Sequence, residues 1–160
     1  MRPRSNETAL GGLAMSDQSY EFEIQHHHGA MSVPSLDEAI AWYDRMLGFK
    51  VEKRFHIAKI PADVAMIKRG PLRLELFEVP NAIPLPEDRR FPDSDNRTHG
   101  NKHVAFVVRD ALAIADLLRS RGGDIAMVVN APHGRGFFIR DNAGNLIEFV
   151  EEPSMWEPAA

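Results

Sequence analysis

The chain has 160 residues, 44% of them apolar and 26% charged, with a formal net charge of −4 and no cysteine. That composition suits one compact domain or two small repeated halves. It provides no basic surface for nucleic acid and excludes disulfides, thiolate nucleophiles and cysteine-based zinc sites. No apolar run approaches the roughly 20 residues that span a membrane. Residues 1–19 lack the apolar core of a secretory signal and read as a flexible extension, so a cytoplasmic location is expected.

Tyr20–Val33 reads as the first strand. Strict alternation puts Phe22, Ile24, His26, His28, Ala30 and Ser32 on one face and His27 on the other. Ser35-Leu36-Asp37-Glu38 is a capping box. It predicts a helix to about Leu47, with Leu36, Ile40, Tyr43 and Leu47 as its buried stripe and Gly48 as its stop. Phe49–Ile57, Asp63–Lys68 and Leu72–Val79 are predicted strands. In the last of these, Leu72, Leu74 and Leu76 line one face and Arg73, Glu75 and Phe77 the other. Pro80–His99 is rich in Pro, Asp and Arg without periodicity and reads as a linker that edges a pocket.

The same element order then recurs. Lys102–Val108 is a predicted strand, and Asp110 caps a helix with the stripe Ala111, Ile114, Ala115 and Leu118, ended by Gly122-Gly123. Asp124–Val129, Gly136–Arg140 and Asn145–Glu151 are three more strands. The chain therefore divides into an extension (1–19), a first β-α-β-β-β module (20–80), a linker (81–99), a second module (100–153) and a tail (154–160). Such a repeat is a statement about architecture, because chance rarely gives one order and spacing twice.

The repeat also aligns chemistry. His28 stands 47 residues before Glu75, and His103 stands 45 before Glu148. Leu74–Pro80 lies over Ile147–Pro153, so Glu78 aligns with Glu151 and both read as solvated strand ends. A glutamate among aliphatic residues on the inner face of a sheet is costly unless paired or metal-bound. Taken singly, each of the four residues is more readily a structural histidine or a salt-bridged rim carboxylate. Their joint recurrence points to a divalent metal held by His28, Glu75, His103 and Glu148. Imidazole and carboxylate suit Zn²⁺, Ni²⁺, Co²⁺, Mn²⁺ or Fe²⁺ without selecting among them. His26 and His99 are candidate neighbours of the site; His27, His56 and His133 read as surface or loop residues.

His28…Val33-Pro34…Asp37…Ala41-Trp42-Tyr43…Leu47-Gly48-Phe49, Leu74-Glu75-Leu76, His103-Val104-Ala105-Phe106 and the run Arg140–Glu148 together resemble the vicinal oxygen chelate superfamily. That superfamily includes glyoxalase I, methylmalonyl-CoA epimerase, extradiol dioxygenases, fosfomycin-resistance thiol transferases and bleomycin-binding proteins. The resemblance implies an α+β fold of two tandem βαβββ modules, whose mixed sheets curl around a metal-binding cavity at the module interface. It also implies a homodimer and a small-molecule substrate. A metal-bound glutamate, Glu75 or Glu148, would act as the proton-transferring base of a lyase or isomerase working on a small oxygenated carbonyl compound. Two further activities share the fold: a non-haem Fe(II) dioxygenase needing only His28, His103 and Glu148, and a drug-binding protein without catalysis. Ser32 and Val79 stand where glyoxalase I usually carries Arg and Asn, which argues against lactoylglutathione. Glu75 stands where methylmalonyl-CoA epimerases usually carry Gln.

Overall fold

The computed structural model describes residues 22–132 and 134–156. The expected extension 1–19, the end of the tail and His133 lie outside these residues. Two four-stranded mixed sheets form, and neither closes into a barrel. In the first, β1 (Gly29–Ser32), β2 (Lys50–Ile57), β3 (Ala62–Arg69) and β4 (Leu72–Glu78) are ordered β1-β4-β3-β2. In the second, β5 (Val104–Val108), β6 (Asp124–Ala131), β7 (Gly134–Arg140) and β8 (Leu146–Glu151) are ordered β5-β8-β7-β6. The first and last strands of each unit run parallel, and the other pairings are antiparallel. Helix α1 (Leu36–Leu47) covers one face of the first sheet and α3 (Ala111–Ser120) one face of the second.

The first strand is shorter than alternation predicts. Only Gly29–Ser32 pairs with β4, and residues 22–28 run exposed or partly buried without regular structure. The helix stripes are broader than expected. Leu36, Tyr43 and Leu47 are buried as predicted, and Ala39, Trp42 and Met46 join them. Leu74 and Leu76 are fully buried against α1, while Leu72 is exposed at the strand start. One apolar core serves both units. Phe49 of the first packs on Phe106 of the second at 5.9 Å, Phe106 meets Phe149 at 5.7 Å, and Phe149 stacks on Phe137 at 4.8 Å.

Glu78 and Glu151 are not solvated ends. Glu78 Oε2 accepts the Leu36 N–H at 2.7 Å, and Glu151 Oε1 accepts the Ala111 N–H at 2.8 Å. Each carboxylate thus satisfies an orphan donor at the start of its own unit's helix and sits at the positive end of the dipole. Ser35 and Asp110 accept from the N–H groups three residues on, as the sequence predicts. The acid that completes the cap arrives from a strand some 40 residues away rather than from Glu38. Glu78→Ala is expected to cost about 1 kcal/mol, read as a lower urea midpoint at unchanged m-value.

The linker is ordered too, through a 3₁₀ turn at Glu87–Arg90 and the short α2 (Pro92–Asp95). Periodicity cannot reveal four-residue elements. They are organised around Asp95, whose carboxylate is 1% exposed and bound by Arg89 and Lys102.

Candidate metal centre

Within each unit, alternation along the strand decides which side chains face the site. Leu74 and Leu76 are claimed by the α1 core, so Arg73, Glu75 and Phe77 face away from the helix. The register extends that face: Met66 lies opposite Glu75, and Val64 opposite Phe77. In the second unit the same logic sets Glu148 on the face away from α3, with Phe138 opposite it. His28 and His103 each end the segment leading into the first strand of their unit, one residue before it begins.

The four predicted residues come together as two pairs. His28 Nε2 lies 3.1 Å from Glu75 Oε2, and His103 Nε2 lies 3.0 Å from Glu148 Oε2. All four side chains are partly buried, between 16% and 30% exposed. Phe138 packs edge-on against the His103 ring at 5.2 Å. His27 does the same for His28, and the two Nδ1 atoms are 2.5 Å apart. That contact leaves His28 Nε2 as the nitrogen turned to Glu75. His27 is exposed in the segment before β1, a surface residue as expected, and touches the site through the His28 ring alone.

The two units meet along a seam between β1 and β5, and of the four residues His103 alone lines the cleft there. A Cβ added to Gly29 would lie 3.6 Å from the Val104 side chain, so β1 and β5 run close together. A cleft of about 550 Å³ follows this seam, lined by Ala30, Ser32, His103, Ala105 and Asn145, with His26 among its walls and Leu85 and Arg89 from the linker. Ala30 and Ala105 are the register partners of Glu75 and Glu148. Each glutamate is therefore one strand, about 4.8 Å, back from the seam, and its carboxylate turns to its own unit's histidine. This accounts for a further observation: among the described residues, no three His, Asp or Glu side chains are gathered closely enough to hold an ion. The donor chemistry nevertheless suits a divalent cation. Two ligands about 2.1 Å from one ion at right angles stand about 3 Å apart, the separation seen in both pairs. Each pair has the shape of one edge of a coordination shell.

The units hold together across the seam by a buried polar network. The Tyr43 hydroxyl donates to Asp141 Oδ2 at 3.0 Å, and Asn145 Nδ2 donates to the same oxygen and to the Ser32 carbonyl. Burial pushes the Tyr43 phenol well above its ordinary range, reinforced by the Asp141 charge. Burial also raises Asp141, against the pull of its bonds from Asn145, Ala143 and Tyr43.

Of the arginines expected to reach the cavity, Arg73 stands on the same strand face as Glu75 but outside the lining of the cleft, where Glu52 holds it. Arg135 instead pairs with Glu151, which caps α3 on the other face. Arg140 is taken up by Asp124, the Arg90 carbonyl and the Phe91 ring. Sequence reasoning missed Glu52. A bulge between Val51 and Lys53 breaks the alternation and lets Glu52 reach Arg73 and Lys68. The Arg73 hydrogen bond, with Lys68 alongside, holds the Glu52 carboxyl down at about 2. His56 pairs with Asp63 on the exposed surface, as expected of a peripheral histidine.

A model described as the Glyoxalase/Bleomycin resistance protein/Dioxygenase superfamily matches residues 25–149. A 2-epi-5-epi-valiolone epimerase from an Actinomyces species is 31% identical over 112 residues. The match covers 61% of this chain and 58% of that protein, so the chain spans less than two thirds of this relative. Among solved structures, a glyoxalase family protein from Enterococcus faecalis superposes with a TM-score of 0.66 at 22% identity, covering 79% of this chain and 97% of its own. The trypanothione-dependent glyoxalase I of Leishmania major superposes with a TM-score of 0.64 at 21% identity, covering 83% and 90%. At these identities the structural matches speak for the fold. No helix among the described residues is long and apolar enough to cross a membrane.

Proposed function

Since the chain belongs to the glyoxalase/bleomycin resistance protein/dioxygenase superfamily, we propose that it is a metal-dependent isomerase or lyase that moves a proton on the carbon beside a carbonyl. The observation that carries this reading is the pair of equivalent His–Glu contacts, one from each unit, set behind the two strands that meet at the seam. The epimerase among its relatives favours isomerisation over elimination. His28, Glu75, His103 and Glu148 would hold the divalent ion, which would supply Lewis acidity to the substrate's carbonyl oxygen.

The chain's own residues would do the rest. The cleft along β1 and β5 receives a small oxygenated molecule, with Asn145 and Ser32 on its polar wall. Met66 and Phe138, only 3% and 8% exposed, stand across the strands from the two carboxylates and keep water from their apolar sides. In each carboxylate Oε2 is engaged by histidine, so Oε1 is the atom that takes or returns a proton. Glu75 and Glu148 lie on opposite sides of the seam. One removes a proton from one face of the carbon, and the other delivers a proton to the opposite face, which inverts the centre.

Metal content tests the ligand set. Protein purified without chelator is expected to carry about one divalent ion per chain, and Glu75→Gln to lose most of it. If the variant keeps its metal and that metal is iron, Glu75 is not a ligand and oxygenase chemistry takes precedence. If neither protein holds metal, the isomerase reading fails.

A further inference from the structure

The two units are near copies, so a charged position on the site face that only one of them carries breaks the symmetry of the site. The register makes the comparison residue by residue. Glu75 corresponds to Glu148, so Arg73 corresponds to Leu146. Met66 and Phe138 oppose the two glutamates, so Lys68 corresponds to Arg140. Both second strands bulge at the same place, between Val51 and Lys53 and between Ile125 and Met127, so Glu52 corresponds to Ala126.

In the second unit this end of the face is closed. Leu146 is 3% exposed, and Arg140 is spent on Asp124, the Arg90 carbonyl and the Phe91 ring. In the first unit it is open and charged. Arg73 donates through Nε and Nη2 to the two Glu52 oxygens at 3.0 and 3.1 Å, and Lys68 Nζ lies 3.4 Å from Oε1. One carboxylate is shared between two cations, which leaves an excess positive charge. The Arg73 and Lys68 side chains remain 37% and 49% exposed.

Arg73 is also two residues from Glu75 on the same face, about 7 Å along the strand. An unrestrained guanidinium there would pair with Glu75 and compete with His28. The two-point clamp by Glu52 draws it aside and leaves its remaining N–H groups directed elsewhere. A side chain so hazardous to the site, supplied together with its own restraint, is an addition rather than a scaffold feature, since the second unit folds without either.

Resting on the isomerase reading above, we propose that Arg73, steadied by Glu52 and flanked by Lys68, binds an anionic group of the substrate. The substrate is then a carbonyl compound bearing a carboxylate or phosphate. That group fixes which way the molecule lies between two otherwise equivalent glutamates. Leu146, buried at the matching place, offers no competing charge.

Inorganic phosphate is the probe, titrated calorimetrically into wild type, Arg73→Gln, Arg73→Lys and Arg135→Gln, the last removing an equal charge that pairs with Glu151 away from the site. Wild type is expected to bind. Arg73→Gln should weaken binding at least tenfold, Arg73→Lys should weaken it less, and Arg135→Gln should stay within about threefold of wild type. The proposal is overturned if wild type does not bind, if Arg73→Gln binds as wild type does, since the metal site would then be holding the anion, or if Arg135→Gln loses as much as Arg73→Gln, since net charge alone would then account for the loss. Phosphate binding needs no turnover, so a chain that shows Arg73-dependent binding without isomerase activity sinks the reaction assignment alone.

Discussion

Glu148→Gln and Glu75→Gln, each assayed at saturating metal, are expected to lower turnover about 10²- to 10⁴-fold, the usual contribution of a positioned proton-transfer group. Saturating metal matters because both residues are also proposed ligands, and lost occupancy alone would mimic lost catalysis. The two variants should fail differently. If each carboxylate serves one face of the carbon, Glu148→Gln still lets Glu75 exchange the proton of one epimer with solvent. Inversion is then lost while deuterium from D₂O continues to enter that epimer, and Glu75→Gln shows the converse. Proton NMR of small hydroxyketones in D₂O separates exchange from inversion directly. Turnover within a few-fold of wild type in both variants would remove the carboxylates from the mechanism. Loss of exchange from both epimers in one variant would make its glutamate the single base.

The geometry gives a reason to expect this pattern. A single base serving both faces has to move across the carbon or let the substrate turn. Here two carboxylates approach from separate sheets, each held by its own histidine at about 3 Å. On the proposed reading, the internal repeat would supply the second base from its own sheet.

Much of this arrangement is legible in the sequence because its rules are local. Ser35 and Asp110 announce helix starts, and Gly48 takes the left-handed conformation at φ 71 that ends α1. Alternation within Leu72–Glu78 separates Glu75 from the leucines around it, and the repeat ties His28 to His103 and Glu75 to Glu148. What escapes depends on long-range partners. Glu78 and Glu151 look like strand-end acids until the helix starts that they cap, about 40 residues away in the chain, are brought beside them. Glu52 escapes because one bulge residue changes which face it reaches. The division of the four candidate ligands into two pairs also escapes, because spacing aligns equivalent residues but does not fix how far apart two sheets stand. The linker escapes for a different reason: its order comes from one buried charge rather than from a pattern.

That charge carries the largest expected stability effect. Asp95 is 1% exposed. Its carboxylate meets Arg89 Nε, and it lies 3.2 Å from Lys102 Nζ. Lys102 also donates to the Asp95 carbonyl at 2.7 Å and to the Thr98 carbonyl, so all three ammonium hydrogens are used. Removing one partner of a buried pair typically costs 3–5 kcal/mol, because the other charge is left without compensation. Arg89 and Lys102 keep 25% and 22% of their side-chain surface and regain some hydration. Asp95→Ala is therefore placed at the lower end, about 3 kcal/mol, read from urea unfolding. Asp63→Ala, which breaks the exposed contact with His56, is the control and should change stability by less than about 1 kcal/mol. The effect on the site should exceed the effect on the fold. Lys102 immediately precedes His103, and Arg89 Nη2 donates to the Asn101 carbonyl at 2.7 Å, so the Asp95 cluster fixes the backbone that aims His103 at Glu148. At temperatures where Asp95→Ala remains folded, its metal affinity should still fall, while the His28 half of the site is unchanged. Equal metal affinity in folded Asp95→Ala and wild type would show that β5 positions His103 without help from the linker.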